Sequence, residues 1–456
     1  MRLKRVSVKR LFGLFDHTVP MDLSERVTIV HSPNGFGKTT LLQMIQSFFA
    51  GDYFALRKIV FRDFELEFDS GKTLSIVRVD TEQQVKNQFG PALDISLRHG
   101  AKQESRTTLS APSPEAMGIS PMMVERFIPF LTRLGPTAWR DQRTGSIVTF
   151  EQLLRSKDFP LPIPPEKLSS VLEPDWLRDL RLSIPVRFIE SQRLLRVPKS
   201  IEARKEDEAV RPAVSVYSRE LATLIKEKLA EYATLSQLLD RAFPRKLVER
   251  AHNKQAKKNS VEALTKRLQL LEDRRTSLTE AGLLDRDDEN FDLASYLGDQ
   301  TLIESVLPVY ADDAEQKLNV FTDIAGKIEL LTGIVNAHFQ YKVMSIDKEK
   351  GFQFSTKYPG EEHRPRPLSP SHLSSGEQHM LVLLYELLFT VKPNSLILID
   401  EPEISLHVAW QLEFLNDIQR ITGLSGIDIL IATHAPGIIN DRLDVTVNLK
   451  APGERR

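Results

Sequence analysis

The run Asn34-Gly35-Phe36-Gly37-Lys38-Thr39-Thr40 combines the parts needed to hold a chain of phosphates. Glycines let a backbone double back and bring its N–H groups against anionic oxygens. Lys38 supplies a positive charge for the β- and γ-phosphates, and the Thr39 hydroxyl suits a magnesium ion. Ser32 stands where the general pattern G-x-x-x-x-G-K-[ST] has its first glycine. A serine fits there if its φ is negative, so nucleotide binding is expected to survive the exchange.

A second group of chemical residues lies far along the chain. Leu396-Ile397-Leu398-Ile399 is an apolar run closed by Asp400 and Glu401, the pattern of a buried parallel strand with acids at its C-terminal end. Asp400 is expected to hold magnesium through water, and Glu401 to polarise the attacking water as a general base. Ile429-Leu430-Ile431-Ala432 ends in Thr433-His434, where a neighbouring strand would present a γ-phosphate sensor. Ser374, Ser375, Gly376 and Glu377 precede a leucine-rich helix and form a second anion-binding helix start. Each of these three has a plainer reading when taken singly: a strand end, a structural histidine, an ordinary N-cap.

The elements that must position these residues can be read from periodicity. Residues 3–30 carry short apolar runs (Val6, Val8, Leu11, then Val27, Ile29, Val30) that predict strands leading into the glycine loop. Leu41, Leu42, Met44, Ile45, Phe48 and Phe49 then recur at helical spacing, so the loop sits between a strand and a helix. Residues 53–80 are rich in strand formers, with a turn signal at Asp69-Ser70-Gly71, and predict a hairpin. Residues 81–180, proline-rich near Pro160, Pro162, Pro164 and Pro165, read as an elaboration of the first domain half. A short strand is expected over Val186–Ile189. Beyond residue 200, Leu221, Leu224, Ile225, Leu229, Tyr232, Leu235 and Leu239 share one helical face. Val261, Leu264, Leu268, Leu271 and Leu278 keep heptad spacing, with Arg275 interrupting the seam, which predicts a short coiled coil or hairpin. Strand signals return over 340–356.

Composition bounds the function classes. Lys plus Arg (61) nearly cancels Asp plus Glu (62), so no global basic field announces nucleic acid. The absence of cysteine excludes disulfides and thiolate zinc sites. The most apolar late run, His379–Val391, contains Glu386 and is shorter than the ~20 residues of a membrane span. No apolar core of signal-peptide length opens the chain, and the expected location is the cytoplasm.

The ordered set SPNGFGKTT, SQR, LSSGEQ, LILIDEPEISLH and ATHAP resembles the ATP-binding cassette (ABC) superfamily, in the branch (AAA15/AAA21) that contains the RecF, Rad50 and OLD proteins. The resemblance implies an α/β, ABC-type P-loop ATPase head with an antiparallel β subdomain and an inserted helical or short coiled-coil domain. It divides the chain at 1–199, 200–335 and 336–456: first half of the head, helical insertion, second half of the head. It makes Asn34, Gly35, Gly37, Lys38, Thr39 and Thr40 the Walker A contacts to ATP, and Gln192 the Q-loop glutamine. Ser374, Ser375, Gly376 and Glu377 become the signature motif, which faces the Walker A of another copy. Magnesium would rest on Thr39, Gln192 and Asp400; Glu401 and His434 become the catalytic acid and switch histidine, and Glu403–His407 fall in the D-loop region. The DEPEISLH string is more similar to OLD-like ATPases than to transporter subunits, but the 22 residues after His434 leave no room for a nuclease domain of OLD type. The resemblance therefore implies the stand-alone ATPase subunit of a prokaryotic anti-phage system (PARIS AriA-like or Septu PtuA-like). Such a subunit forms homo-oligomers of head-to-head dimers beside a separate TOPRIM or HNH nuclease and answers a phage-derived trigger. A RecF-like DNA-repair clamp is the alternative, supported by five Lys or Arg in the first ten residues and by Arg241, Arg245, Lys246, Arg250, Lys254, Lys257 and Lys258. A transporter motor subunit is the remote one.

Overall fold

The computed structural model describes residues 1–79, 91–110, 119–135, 137–155, 173–190, 195–196, 211–252, 261–285, 305–357, 366–404 and 406–451. Gln192, Lys254, Lys257, Lys258 and the prolines at 160–165 lie outside these residues. The chain forms two compact units: Met1–Ser191 with Val391–Ile404 and Gln411–Arg456, and Gln192–Thr390 with Ser405–Trp410.

The first unit opens with the antiparallel pair β1 (Leu3–Leu11) and β2 (Phe15–Pro20), followed by β3 (Val27–His31). Val6 and Val8 of β1 are buried while Lys4, Arg5, Lys9 and Arg10 are exposed, so the strand carries its charge on the outer face. Helix α1 (Lys38–Ala50) follows the glycine loop and buries all six apolar residues that its spacing marked. Helix α2 (Tyr53–Lys58) replaces the first part of the expected strand region. The Asp52 carboxylate accepts from Ala55 N–H and caps the turn, while Tyr53 and Leu56 bury their side chains. The hairpin itself forms between β4 (Asp63–Phe68) and β5 (Lys72–Val79), turning at Asp69-Ser70-Gly71. With β6 (Ala92–His99) and β7 (Lys102–Leu109) these strands complete an antiparallel sheet ordered β2-β1-β4-β5-β6-β7. Residues 119–155 add α3 (Pro121–Phe127), β8 (Leu131–Arg133), β9 (Ala138–Asp141), β10 (Ile147–Thr149) and α4 (Phe150–Arg155) around a core that includes Val124, Leu131, Trp139 and Phe150. Helix α5 (Asp175–Leu182) leads into β11 (Val186–Ile189).

The second unit begins with the short pair β12 (Leu195–Arg196) and β13 (Arg211–Pro212) and is dominated by helices: α6 (Ala213–His252), α7 (Val261–Glu280), α8 (Leu307–Asn319) and α9 (Thr322–His338). Of the predicted α6 face, Leu221, Ile225 and Leu239 are fully buried. Leu264 and Leu268 of α7 pack with Leu307 and Ala311 of α8, whereas Val261 at the start of α7 is 46% exposed. Arg267 pairs with Asp312 and Arg274 bonds Asn319, a seven-residue step on both helices, so α7 and α8 run parallel. Lys246 pairs with Asp313 and Asp240 with Lys317, so α6 runs antiparallel to α8. Strands β14 (Lys342–Asp347), β15 (Gly351–Thr356) and β16 (Pro367–Leu368) form a small antiparallel sheet ahead of α10 (Ser375–Tyr385), which continues as a π-helical turn over Glu386–Thr390.

The chain then returns to the first unit as β17 (Leu396–Asp400) and, after α11 (Val408–Ser425), as β18 (Asp428–Thr433), α12 (Pro436–Ile439) and β19 (Thr446–Asn448). These join β3 and β11 in an all-parallel sheet ordered β11-β17-β18-β3-β19. Its central strands β17 and β18 carry the apolar runs Leu396–Ile399 and Ile429–Ala432, as burial on both faces requires, while β11 and β19 at the two edges are partly exposed. Among the described residues, no helix is long and apolar enough to cross a membrane.

Candidate functional site

The last residues of three adjacent parallel strands, His31 on β3, Thr433 on β18 and Asp400 on β17, lie side by side and collect the chemistry at one sheet edge. From β3 the chain enters the glycine loop. Gly35 and Gly37 take φ of +88° and +86°, a region that only glycine adopts without strain. A Cβ on Gly37 would also sit 2.6 Å from Leu11 Cδ2. Ser32 is buried and keeps out of the left-handed region, as its place in the loop demands. Gly37 caps α1 without a side-chain bond, which leaves the first N–H groups of the helix for an anion.

Lys38 is 5% exposed, and its Nζ donates to the carbonyls of Ser32 (2.6 Å) and Pro33 (3.2 Å). Burial lowers its pKa, while the nearby Glu401, Glu403 and Asp400 pull it back up. The Thr39 hydroxyl donates to Asp400 Oδ1 at 3.0 Å, bringing a hydroxyl and a carboxylate oxygen to one point. The Asp400 carboxyl is held above its usual range, first by burial and then by Glu401 and Glu403, with the Thr39 bond acting the other way. Oxygen donors crowded by like charge suit a small hard cation. Of the residues expected to hold magnesium, Thr39 and Asp400 meet here, and Gln192 lies outside the described residues.

Glu401 adopts φ +44°, a left-handed conformation that costs a non-glycine residue about 1 kcal/mol or more, and its N–H donates to Ala432 O at 2.8 Å. This bond ties the turn after β17 to the end of β18. His434 Nδ1 lies 3.4 Å from Glu401 Oε1 and 3.0 Å from Glu403 Oε1. Glu403 also accepts from the Thr433 hydroxyl (2.6 Å) and from His434 N–H (3.0 Å).

Lys38, Thr39, Asp400, Glu401 and His434 thus share one corner of the first unit, with Asn34, Gly35, Gly37 and Thr40 on the loop and helix around them. Ser374, Ser375, Gly376 and Glu377 belong to the second unit, at the start of α10. There Ser374 Oγ accepts from Glu377 N–H while Glu377 Oε2 accepts from Ser374 N–H (2.7 Å) and from Lys342 Nζ (2.6 Å). Two residues of the first-unit corner had not been assigned a role from sequence. His17 is buried on β2 and contacts the Phe36 carbonyl through Nε2 at 2.8 Å; burial lowers its pKa, and a neutral ring donates that bond with its Nε2–H tautomer. Glu403 had been placed in the D-loop region without a function; nothing in a lone glutamate within a turn signals burial.

The family model described as an AAA ATPase domain matches residues 1–439. No curated protein matches the chain. Among solved structures the chain is similar to the Pyrococcus furiosus Smc head domain with an extended coiled coil, bound to the C-terminal domain of ScpA. The identity is 12%, over 99% of this chain and 94% of that one, at a TM-score of 0.33. The SMC head domain from Thermotoga maritima matches at 12% identity over 99% and 95%, with a TM-score of 0.31. A Pyrococcus yayanosii Smc head domain with a coiled coil and joint matches at 13% over 99% and 96%, with a TM-score of 0.29.

Proposed function

Because the chain belongs to the AAA ATPase domain family, we propose that it binds ATP with magnesium at the C-terminal edge of its parallel sheet and hydrolyses it. The observation that carries this reading is the convergence of Lys38, Thr39, Asp400, Glu401 and His434 from three separate strand ends. The loop N–H groups and Lys38 would bind the β- and γ-phosphates. Magnesium, when bound, neutralises charge on the phosphates. Glu401 would take the proton of the attacking water, and His434 would read the γ-phosphate.

Two variants test the site. Lys38→Ala should abolish ATP binding measured by calorimetry; a normal affinity would count against the whole site. Glu401→Gln should keep that affinity and slow phosphate release by about a hundredfold or more; unchanged hydrolysis would refute its role.

The biological role follows from nucleotide-gated assembly. ATP would bridge two copies, the signature helix of one over the Walker A of the other, and hydrolysis would loosen them. In this reading the chain is the sensor and scaffold of an anti-phage complex that restrains a separate nuclease until a phage component arrives. The DNA-clamp alternative draws less support from the ion pairs. Arg2 binds Asp428, Lys4 and Arg5 bind Glu67, Arg245 binds Glu249 and Lys246 binds Asp313, so much of the basic run is already partnered. Co-expression with an adjacent TOPRIM or HNH nuclease gene should protect cells from phage in a Lys38-dependent way. Protection indifferent to Lys38→Ala would sink the gating role.

A further inference from the structure

His434 makes its shortest side-chain contact with a carboxylate other than the proposed general base. Glu403 is 8% exposed, and its Oε1 gathers three groups from two successive residues: the Thr433 hydroxyl, the His434 backbone N–H and His434 Nδ1. Glu401 stands farther from the same ring nitrogen, at 3.4 Å against 3.0 Å. The three contacts fix the backbone and the ring of His434 together. A carboxylate only accepts, so Nδ1 carries the hydrogen in this contact, and a neutral His434 then has its lone pair at Nε2. The other oxygen of Glu403, Oε2, is buried with no hydrogen-bond partner among the described residues. A buried carboxylate held by one oxygen alone, in a corner that also contains Lys38, Asp400 and Glu401, calls for more than a packing role.

We propose that Glu403 is a positioning residue for hydrolysis, which locks His434 in the ring orientation and Nδ1–H tautomer that reserve Nε2 for the triphosphate. This rests on the reading of Glu401 as the hydrolytic base. The competing role is a peg that merely joins the turn after β17 to the end of β18. The two differ in what removing the charge does while an acceptor remains.

Glu403→Gln keeps an amide oxygen for Thr433 and the His434 backbone but offers the ring a mixed donor and acceptor. The expected result is a fall in kcat of about tenfold or more, by analogy with other tautomer-fixing carboxylates, with KM for ATP unchanged and an unaltered melting temperature. In a His434→Ala background the same substitution should have no further effect. In protein labelled with ¹⁵N-histidine, the His434 signals should show Nδ1 protonated in the wild type and a shift toward Nε2 protonation in Glu403→Gln. A wild-type kcat in Glu403→Gln, or a loss that persists without His434, overturns the proposal. Glu401→Gln run in parallel separates the two levels: if that variant hydrolyses normally, the underlying reading fails instead.

Discussion

Asp400 stands where folding and chemistry pull in opposite directions. Its carboxyl is pushed upward by burial and by Glu401 and Glu403. Between the ordinary carboxylate value and that raised one, the folded state binds the extra proton, so this group withdraws stability as pH rises through the window. At neutral pH, Asp400→Asn should therefore raise the melting temperature of the nucleotide-free protein, by roughly 1–3 °C, while abolishing magnesium-dependent hydrolysis. A lower melting temperature by scanning calorimetry would contradict the electrostatic account. The same residue shows what sequence makes legible. Asp400, Glu401 and the glycine loop announce themselves because each motif is local and ends or begins an apolar run. Glu403 and His17 do not, because their importance comes from burial against residues about 30 and 20 positions away in sequence. No periodicity encodes that.

Elements built by a single period were read well from the chain, and those set by one capping residue were not. The apolar runs of β17 and β18 and the buried face of α1 are written in the local order of residues, whereas α2 is started by the Asp52 cap and held by the burial of Tyr53 and Leu56. The heptad over α7 was visible, but its partner was not: α8 lies parallel to it, and nothing in the spacing of α7 names a helix some 45 residues on. Gly351 marks how closely the second unit packs. It has φ +75°, and a Cβ there would collide with the backbone carbonyl of Ser218 on α6. Ser218 Oγ in turn accepts from Phe352 N–H and donates to Lys350 O. Gly351→Ala should thus part the β14–β15 turn from α6 and destabilise the protein by about 2 kcal/mol or more. Urea unfolding followed by circular dichroism would measure it, and a change below about 0.5 kcal/mol would show that the turn is free to move.

At the scale of the whole molecule, the proposed assembly would pair two copies, with the serine-glycine start of α10 in one set over the nucleotide of the other. Glu401→Gln with magnesium and ATP should elute as a dimer or larger by light scattering, and revert when the nucleotide is removed. A variant that binds ATP yet stays monomeric at every concentration would leave α10 without that role. The order of the parallel sheet has one more consequence, for biosynthesis. The neighbours of β3 are β18 and β19, which a ribosome adds roughly four hundred residues later. At common elongation speeds the strand that launches the glycine loop waits about 20–80 s for a hydrogen-bonding companion. Until then the nascent polypeptide lacks both hydrogen-bonding neighbours of β3, and the unpaired strand offers chaperones and proteases a prolonged opportunity that the finished sheet withdraws.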